Sequence, residues 1–266
     1  MTTPLGVNTY PLRYEAMSDF DATLRRVADI GFLGIETIGL PDMPSLHAMP
    51  PAKFRALIDE LDLELIATHV EPLGERNRKV AEQELAVHAE IGTPAVILSL
   101  GSAEYFESSD SLERALDGLA GFAEKATGYG MKVGYHNHWW EYSTEFNGRK
   151  AISVILERLD SAFVEADIYW LQTAGLNVAP ILEELGDELR ILHLKDGPCT
   201  VADPQTAVGS GLVDIPAAVR AATAADWHIA ELDDCDGDMF EALEKSFHFL
   251  TEEGLSRGRI REVDAT

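Results

Sequence analysis

The sequence predicts an α/β protein, a single-domain (β/α)₈ TIM barrel, on three observations. The chain has 266 residues, close to the roughly 250 that one such barrel needs. Eight short apolar runs alternate with longer amphipathic segments along its whole length. The interiors of those runs, such as AVILSL and RILHLK, are near-continuously apolar, as parallel strands covered on both faces must be. One strand followed by one helix, eight times over, fits a closed barrel or a large doubly wound sheet. No G-x-G-x-x-G follows any strand, and VGSGLVD at 208–214 has only G-x-G, so a nucleotide-binding sheet is set aside.

The expected strands are 4–10, 34–37, 63–70, 95–100, 132–138, 163–168, 191–195 and 228–232. Helical periodicity marks 19–30, 52–61, 76–91, 109–130, 149–159, 178–185, 215–225 and 238–253. The first opens on Asp19, a suitable cap, and sets Phe20, Leu24, Val27 and Ile30 on one side. Gly31, Gly92, Gly130 and Gly186 follow helix ends, where a left-handed residue is wanted. Residues 1–256 read as the barrel and 257–266 as a polar, loosely ordered tail.

The formal net charge is −25, from 46 acidic and 21 basic residues. Nucleic acid and anionic membrane surfaces are poor partners for such a chain, because both need Lys and Arg. No apolar stretch approaches the ~18 residues of a membrane span, and the opening MTTPLGVNTY lacks the pattern of a secretory signal. Cys199 and Cys235 form neither a disulfide framework nor a C-x-x-C pair. A reducing cytoplasm is the expected compartment.

A barrel carries its chemistry where strands end, and these ends are polar. The third strand offers Thr68, His69 and then Glu71; the fifth ends in Tyr135-His136-Asn137-His138, followed by Trp139-Trp140-Glu141. The sixth ends in Glu165-Ala166-Asp167, the seventh carries His193 and then Lys195-Asp196, and the eighth ends in Glu231-Leu232-Asp233-Asp234, where the acidic run Asp233–Asp236 reads as a solvated helix entry rather than a second metal site. Neighbouring strands lie about 4.8 Å apart, so Asp167, His193 and Glu231 can converge on one divalent ion. Each has a plainer reading: Asp167 as a helix cap, His193 as a core histidine, Glu231 as a paired or protonated buried acid. Their coincidence at consecutive strand ends favours metal. His136 and His138 are two apart and share a strand face; one is a general base or substrate donor, or else part of an aromatic wall. Lys195 either binds an oxyanion or pairs with Asp196. His69 is expected against substrate, Trp139 and Trp170 stack on the C–H faces of a ligand or fill space, and Arg13 would anchor an anionic group.

At these residues the sequence resembles the xylose-isomerase-like barrel superfamily, in its sugar phosphate isomerase/epimerase branch. The resemblance spans nearly the whole chain and is carried by GYHNHWWEY (134–142), DIYWLQTAG (167–175), LHLKDG (192–197), GSGLVDI (209–215) and IAELDD (229–234). It implies one divalent metal held by Glu, Asp, His and Glu from the last four strands, hence Asp167, His193 and Glu231 here. The first glutamate is missing from the fifth strand, where Tyr135 and His136 stand. Glu141 is the nearest carboxylate and is expected as the fourth ligand, with Glu145 or His138 as fallbacks. The YHNH stretch is similar to inosose dehydratases and to lyases of 3-keto-glycosides, C-glycoside deglycosidases among them. The resemblance also extends to endonuclease IV, which the acidic charge balance disfavours.

The resulting expectation is a metal-dependent sugar isomerase or epimerase that abstracts a proton next to a metal-bound carbonyl. His138 or His136 would be the base, with Glu231 and Lys195 assisting. Mn²⁺ is the first choice of cofactor, with Co²⁺, Zn²⁺, Fe²⁺ or Mg²⁺ as alternatives. A dehydratase or lyase is the second reading, and a sugar-binding barrel subunit of a hetero-oligomer the non-enzymatic one. Homo- and hetero-oligomers both remain open. With no clustered basic pocket in the sequence, a phosphorylated substrate is disfavoured.

Overall fold

The computed structural model describes residues 2–39 and 49–259. Eight parallel strands close a barrel: β1 (Leu5–Asn8), β2 (Gly34–Gly39), β3 (Glu64–Val70), β4 (Ala95–Leu98), β5 (Lys132–His136), β6 (Phe163–Asp167), β7 (Leu189–Leu194) and β8 (Trp227–Ala230). Each pairs with its neighbours in chain order, and β8 returns to β1 with Gly6 opposite Ile229. All eight expected strands form, with ends shifted by up to two residues. Amphipathic helices pack outside them, each burying one face. Helix Phe20–Ile30 starts as expected, the Asp19 side chain accepting from Ala22 N–H, and stops at Gly31 with φ 117°. Among the described residues, no helix is long and apolar enough to cross a membrane.

Inward positions alternate along each strand and divide the barrel interior into two halves. The lower half is a plug of Ile66, Ala67, Ala95, Ile97, Ile191 and Ile229, with Phe163 and Trp227 against it. Large side chains from some strands meet glycines on others: a Cβ on Gly134 would stand 2.6 Å from the Phe163 ring and 2.7 Å from Ile97. Two residues further along the strands the chemistry changes. Gly6 gives way to Asn8, Gly34 to Glu36, Gly134 to His136, Ile191 to His193 and Ile229 to Glu231, and all five polar residues are buried.

Several details depart from expectation. Strand β5 stops at His136 because the Asn137 side chain takes over the ladder. Its Oδ1 accepts from Asp167 N–H at 3.0 Å, and its amide donates to Asp167 C=O at 3.3 Å. The helix expected from 149 starts at Ala151, since Arg149–Lys150 pairs with Glu145–Phe146 in a two-stranded hairpin. Asn147 and Gly148 turn it at φ 53° and 79°, the conformation an Asn-Gly turn favours. The start of the expected loose tail is tied down: Arg257 N–H donates to Thr3 C=O and Arg259 N–H to Gly31 C=O. Residues 260–266 of that tail lie outside the described residues.

Candidate metal centre

The upper barrel half concentrates buried titratable groups. Glu36 on β2, His69 on β3, His136 on β5, Glu165 and Asp167 on β6, His193 on β7 and Glu231 just past β8 are all buried. Lys195 and Asp233 follow two residues beyond His193 and Glu231, so each pair shares an inward face. Two interlocking groups have ligand atoms within 4.8 Å of one another: His136, Asp167, His193 and Glu231 nearer the mouth, and His69, His136, Glu165 and His193 beneath. The structure therefore brings the three expected ligands Asp167, His193 and Glu231 together.

The two shared imidazoles stand upright between these layers. His193 Nε2 faces Glu36 Oε2 at 2.8 Å and Glu165 Oε1 at 3.0 Å, while its Nδ1 faces Glu231 Oε2 at 2.6 Å. His136 Nδ1 faces Glu165 Oε1 at 2.9 Å, and its Nε2 points toward Asp167 Oδ2 at 3.8 Å. Asp167 serves both roles considered for it. Its Oδ1 accepts from Trp170 N–H at 3.0 Å, capping helix Ile168–Thr173, and Oδ2 is left to face the site. Lys195 bridges the carboxylates around the mouth, its Nζ 3.0 Å from Asp167, Glu231 and Asp233.

Burial and charge set the protonation of the group. Burial alone would raise Glu231, but Lys195 and His193 outweigh it and hold the carboxyl far below the usual range. Burial raises Asp167, and Lys195 offsets this only in part. Burial also pushes His136 well down, helped by His193 and His69, so its imidazole stays neutral with a lone pair to offer. Burial works against charge on His69 too, but Glu36 and Glu165 overcome it and lift the group to about 10. The same two carboxylates, with Glu231, raise His193 well above its ordinary value despite burial.

Two imidazoles and two carboxylates are a donor set suited to a borderline divalent cation. At about 2.1 Å per bond, inward shifts of the outer side chains would close the His136–Asp167–His193–Glu231 group around one ion. The residues fit.

Glu141 does not join them. Its Oε1 accepts from Tyr135 O–H at 2.9 Å and its Oε2 from His138 N–H at 2.9 Å. The turn after β5 spends this carboxylate locally, and His136 fills the fifth-strand position among the converging groups. Glu145 is exposed on the hairpin, 3.9 Å from Lys150. Lys195 pairs with the site's carboxylates rather than with Asp196, which instead accepts from the N–H groups of Gly197, Gly209, Gly211 and Val213.

A cleft of about 160 Å³ opens above the group, its walls including Tyr10, His69, Glu71, His138, Lys195 and Asp233. His138 stacks on Trp140 at 4.8 Å, and the Glu141 hydrogen bond and charge raise it against the effect of burial. Trp170 lies 5.9 Å below Lys195 Nζ, whereas Trp139 packs on Trp140 at 5.5 Å, behind the wall. Arg13 also sits one layer back, its guanidinium over the Tyr10 ring at 4.2 Å and donating to Tyr10 C=O. Sequence reasoning missed Glu36, and it gave Glu165 and Asp233 no role beyond polar strand ends. Their signal was the period of two: each lies two residues along the chain from another inward-facing position (Gly34, Asp167 and Glu231).

A model of the xylose isomerase-like TIM barrel family matches residues 24–252. The chain belongs to this family. Among solved structures, this xylose isomerase-like barrel is similar to a sugar phosphate isomerase/epimerase from Parabacteroides distasonis, at 21% identity over 97% of this chain and 96% of that one, with a TM-score of 0.77. It is also similar to 3-keto-D-glucoside 4-epimerase from E. coli (19%, 94% and 99%, TM-score 0.70). A third is the IolI protein with a binding zinc atom (15%, 95% and 97%, TM-score 0.74). At these identities the likeness establishes the shared barrel. Comparison with curated protein sequences yields no match.

Proposed function

We propose that this chain is a divalent-metal-dependent isomerase or epimerase of an uncharged keto-sugar, working by proton abstraction next to a carbonyl. The observation that carries this reading is the convergence of His136, Asp167, His193 and Glu231 beneath a cleft walled by His138 and Lys195. An ion held by those four residues, Mn²⁺ by first preference, would polarise the substrate carbonyl and acidify the adjacent C–H. The zinc atom of the IolI neighbour and the sugar epimerases among the similar structures support the reading.

His138 and Glu231 divide the proton work. They leave β5 and β8, three strands apart around the rim, so a bound sugar lies between an imidazole on one side and a carboxylate on the other. Removing a proton on one side and returning it on the other inverts a carbon; removal and return at neighbouring carbons moves the carbonyl. Glu141 steadies His138 through its backbone N–H. Lys195 presents its ammonium to the cleft and stabilises developing negative charge on a substrate oxygen.

The substrate class follows from charge. Lys195 is the single Lys or Arg on the cleft wall among the described residues, and three carboxylates already engage it. Glu71, Glu231 and Asp233 share that wall and would repel a phosphate. The test is turnover by the purified chain, loaded with Mn²⁺, of free and phosphorylated ketoses and a 3-keto-glucoside in D₂O. Product of substrate-like mass carrying one deuterium, from the unphosphorylated sugars only, is expected. Loss of water or an aglycone would replace this reading with the lyase. Metal and sugar binding without turnover would replace it with a binding subunit.

A further inference from the structure

The lower layer of the site contains an arrangement that metal binding by the upper layer leaves unexplained. Glu36 and Glu165 are fully buried, and no Lys or Arg among the described residues pairs with either. Glu36 Oε2 lies 2.9 Å from Asn8 Nδ2, 2.8 Å from His193 Nε2 and 3.2 Å from His69 Nε2. Glu165 Oε1 lies 2.6 Å from His69 Nε2, 2.9 Å from His136 Nδ1 and 3.0 Å from His193 Nε2. Two carboxylate oxygens thus gather four nitrogens, three of them from imidazoles. The second oxygens, Glu36 Oε1 and Glu165 Oε2, have no hydrogen-bond partner.

An ionised carboxylate accepts and cannot donate. Each imidazole nitrogen facing these oxygens must therefore carry the hydrogen: Nε2 of His193, Nε2 of His69 and Nδ1 of His136. A neutral imidazole holding its hydrogen on one nitrogen has its lone pair on the other. An ion at the mouth would take the place of the hydrogen between His193 Nδ1 and Glu231 Oε2, which lie 2.6 Å apart. The nitrogens left to it would be Nδ1 of His193 and Nε2 of His136, the two that point up toward Glu231 and Asp167. His69, clamped between both carboxylates and 5.0 and 5.6 Å from the other two rings, keeps Glu36 and Glu165 at this spacing.

We infer that Glu36 and Glu165, braced by His69, are positioning residues that lock His136 and His193 into the tautomers that offer lone pairs to a metal at the mouth. The inference rests on the metal-site reading above and adds which atoms bind and what sets them. It assigns the fifth-strand ligand to His136 Nε2 in place of a carboxylate. It also accounts for two buried acids that touch no part of the cleft. Acceptors behind ligating histidines change metal affinity by 10–100-fold when altered.

The experiment is Co²⁺ titration of the whole protein followed by visible absorption, with wild type, Glu165→Gln and Glu36→Gln in parallel and thermal melting as the fold control. Folded variants should bind Co²⁺ about 10–100-fold more weakly, and Glu36→Asp and Glu165→Asp should recover part of the loss. Wild-type affinity in folded Gln variants would overturn the positioning role and leave the metal site standing. Absence of Co²⁺ binding by wild type would overturn both. Should the variants not fold, ¹⁵N–¹H correlation of the histidines in Zn²⁺-loaded wild type decides the matter. Hydrogens on His193 Nε2 and His136 Nδ1 are expected; an ion on His193 Nε2, seated in the lower group, would overturn the inference.

Discussion

The two halves of the barrel interior use the same strands and the same inward spacing for opposite ends. Below, Ile66, Ile97 and Ile229 interlock with Gly6, Gly34 and Gly134 so closely that an added Cβ would clash. Above, the next inward positions hold Glu36, His136, Glu165, His193 and Glu231, whose desolvation opposes folding. The lower half supplies stability, through apolar burial and packing. The upper half uses part of that stability to hold groups at the separations a ligand needs. A displacement of two residues, about 6.6 Å along a strand, separates a plug from a cluster of titratable groups.

The contrast is broken most sharply by substitutions that affect one half and spare the other. Asp167→Asn and Glu231→Gln should each lower kcat/KM by on the order of 10³-fold and reduce bound metal, measured by turnover and elemental analysis. Burial raises the Asp167 carboxyl, so the melting temperature of metal-free Asp167→Asn should not fall. A loss like that of a core deletion would erase the distinction. Ile229→Ala is that deletion: about 2–5 kcal/mol of stability should go in chemical denaturation, with Co²⁺ affinity unchanged. Gly134→Ala should cost about 1–3 kcal/mol by overpacking, because its methyl meets Phe163 and Ile97 below 3 Å. A neutral result would mean that the plug gives way more easily than its geometry implies.

The smallest effects are those of pH on the metal-free protein. His69, in the upper half, is raised from 6.5 to about 10. Its contribution to stability is fully present below pH 6.5 and is lost as pH rises through 10. His228, on β8 and hydrogen-bonded to Ser256 at 2.8 Å, is lowered by burial from 6.5 to about 4. Its contribution is present above pH 6.5 and is lost as pH falls through 4. His69→Gln should flatten the alkaline side of the stability profile and His228→Gln the acid side; the reverse assignment would contradict both environments.

The fold was legible because eight apolar runs and their helices repeat a pattern that local chemistry enforces. The convergence of Asp167, His193 and Glu231 was legible for the same reason: the three close or follow unmistakable strands. The fifth strand was harder. Reading Glu141 as the replacement carboxylate relied on nearness in sequence, and the turn at Asn137 directs that side chain to Tyr135 and the backbone of His138. Glu36 and Glu165 were hidden by their place inside strands, where an acid is hard to tell from an outward-facing one until register is known. His136 could not be distinguished from His138 without those two acids, since they give its ring a definite orientation.

The carboxylate of Asp196 gathers four amides from a stretch that runs from Gly197 to Val213. From the same stretch Gln205 reaches Asp233, with bonds at its side chain and its backbone N–H. Four amides tied to one carboxylate share its fate: loss of the Asp196 side chain releases all four, while Gln205 keeps its own hold on Asp233. Solvent should therefore reach the amides of Gly209, Gly211 and Val213 in a single opening event, with a shared rate of hydrogen exchange.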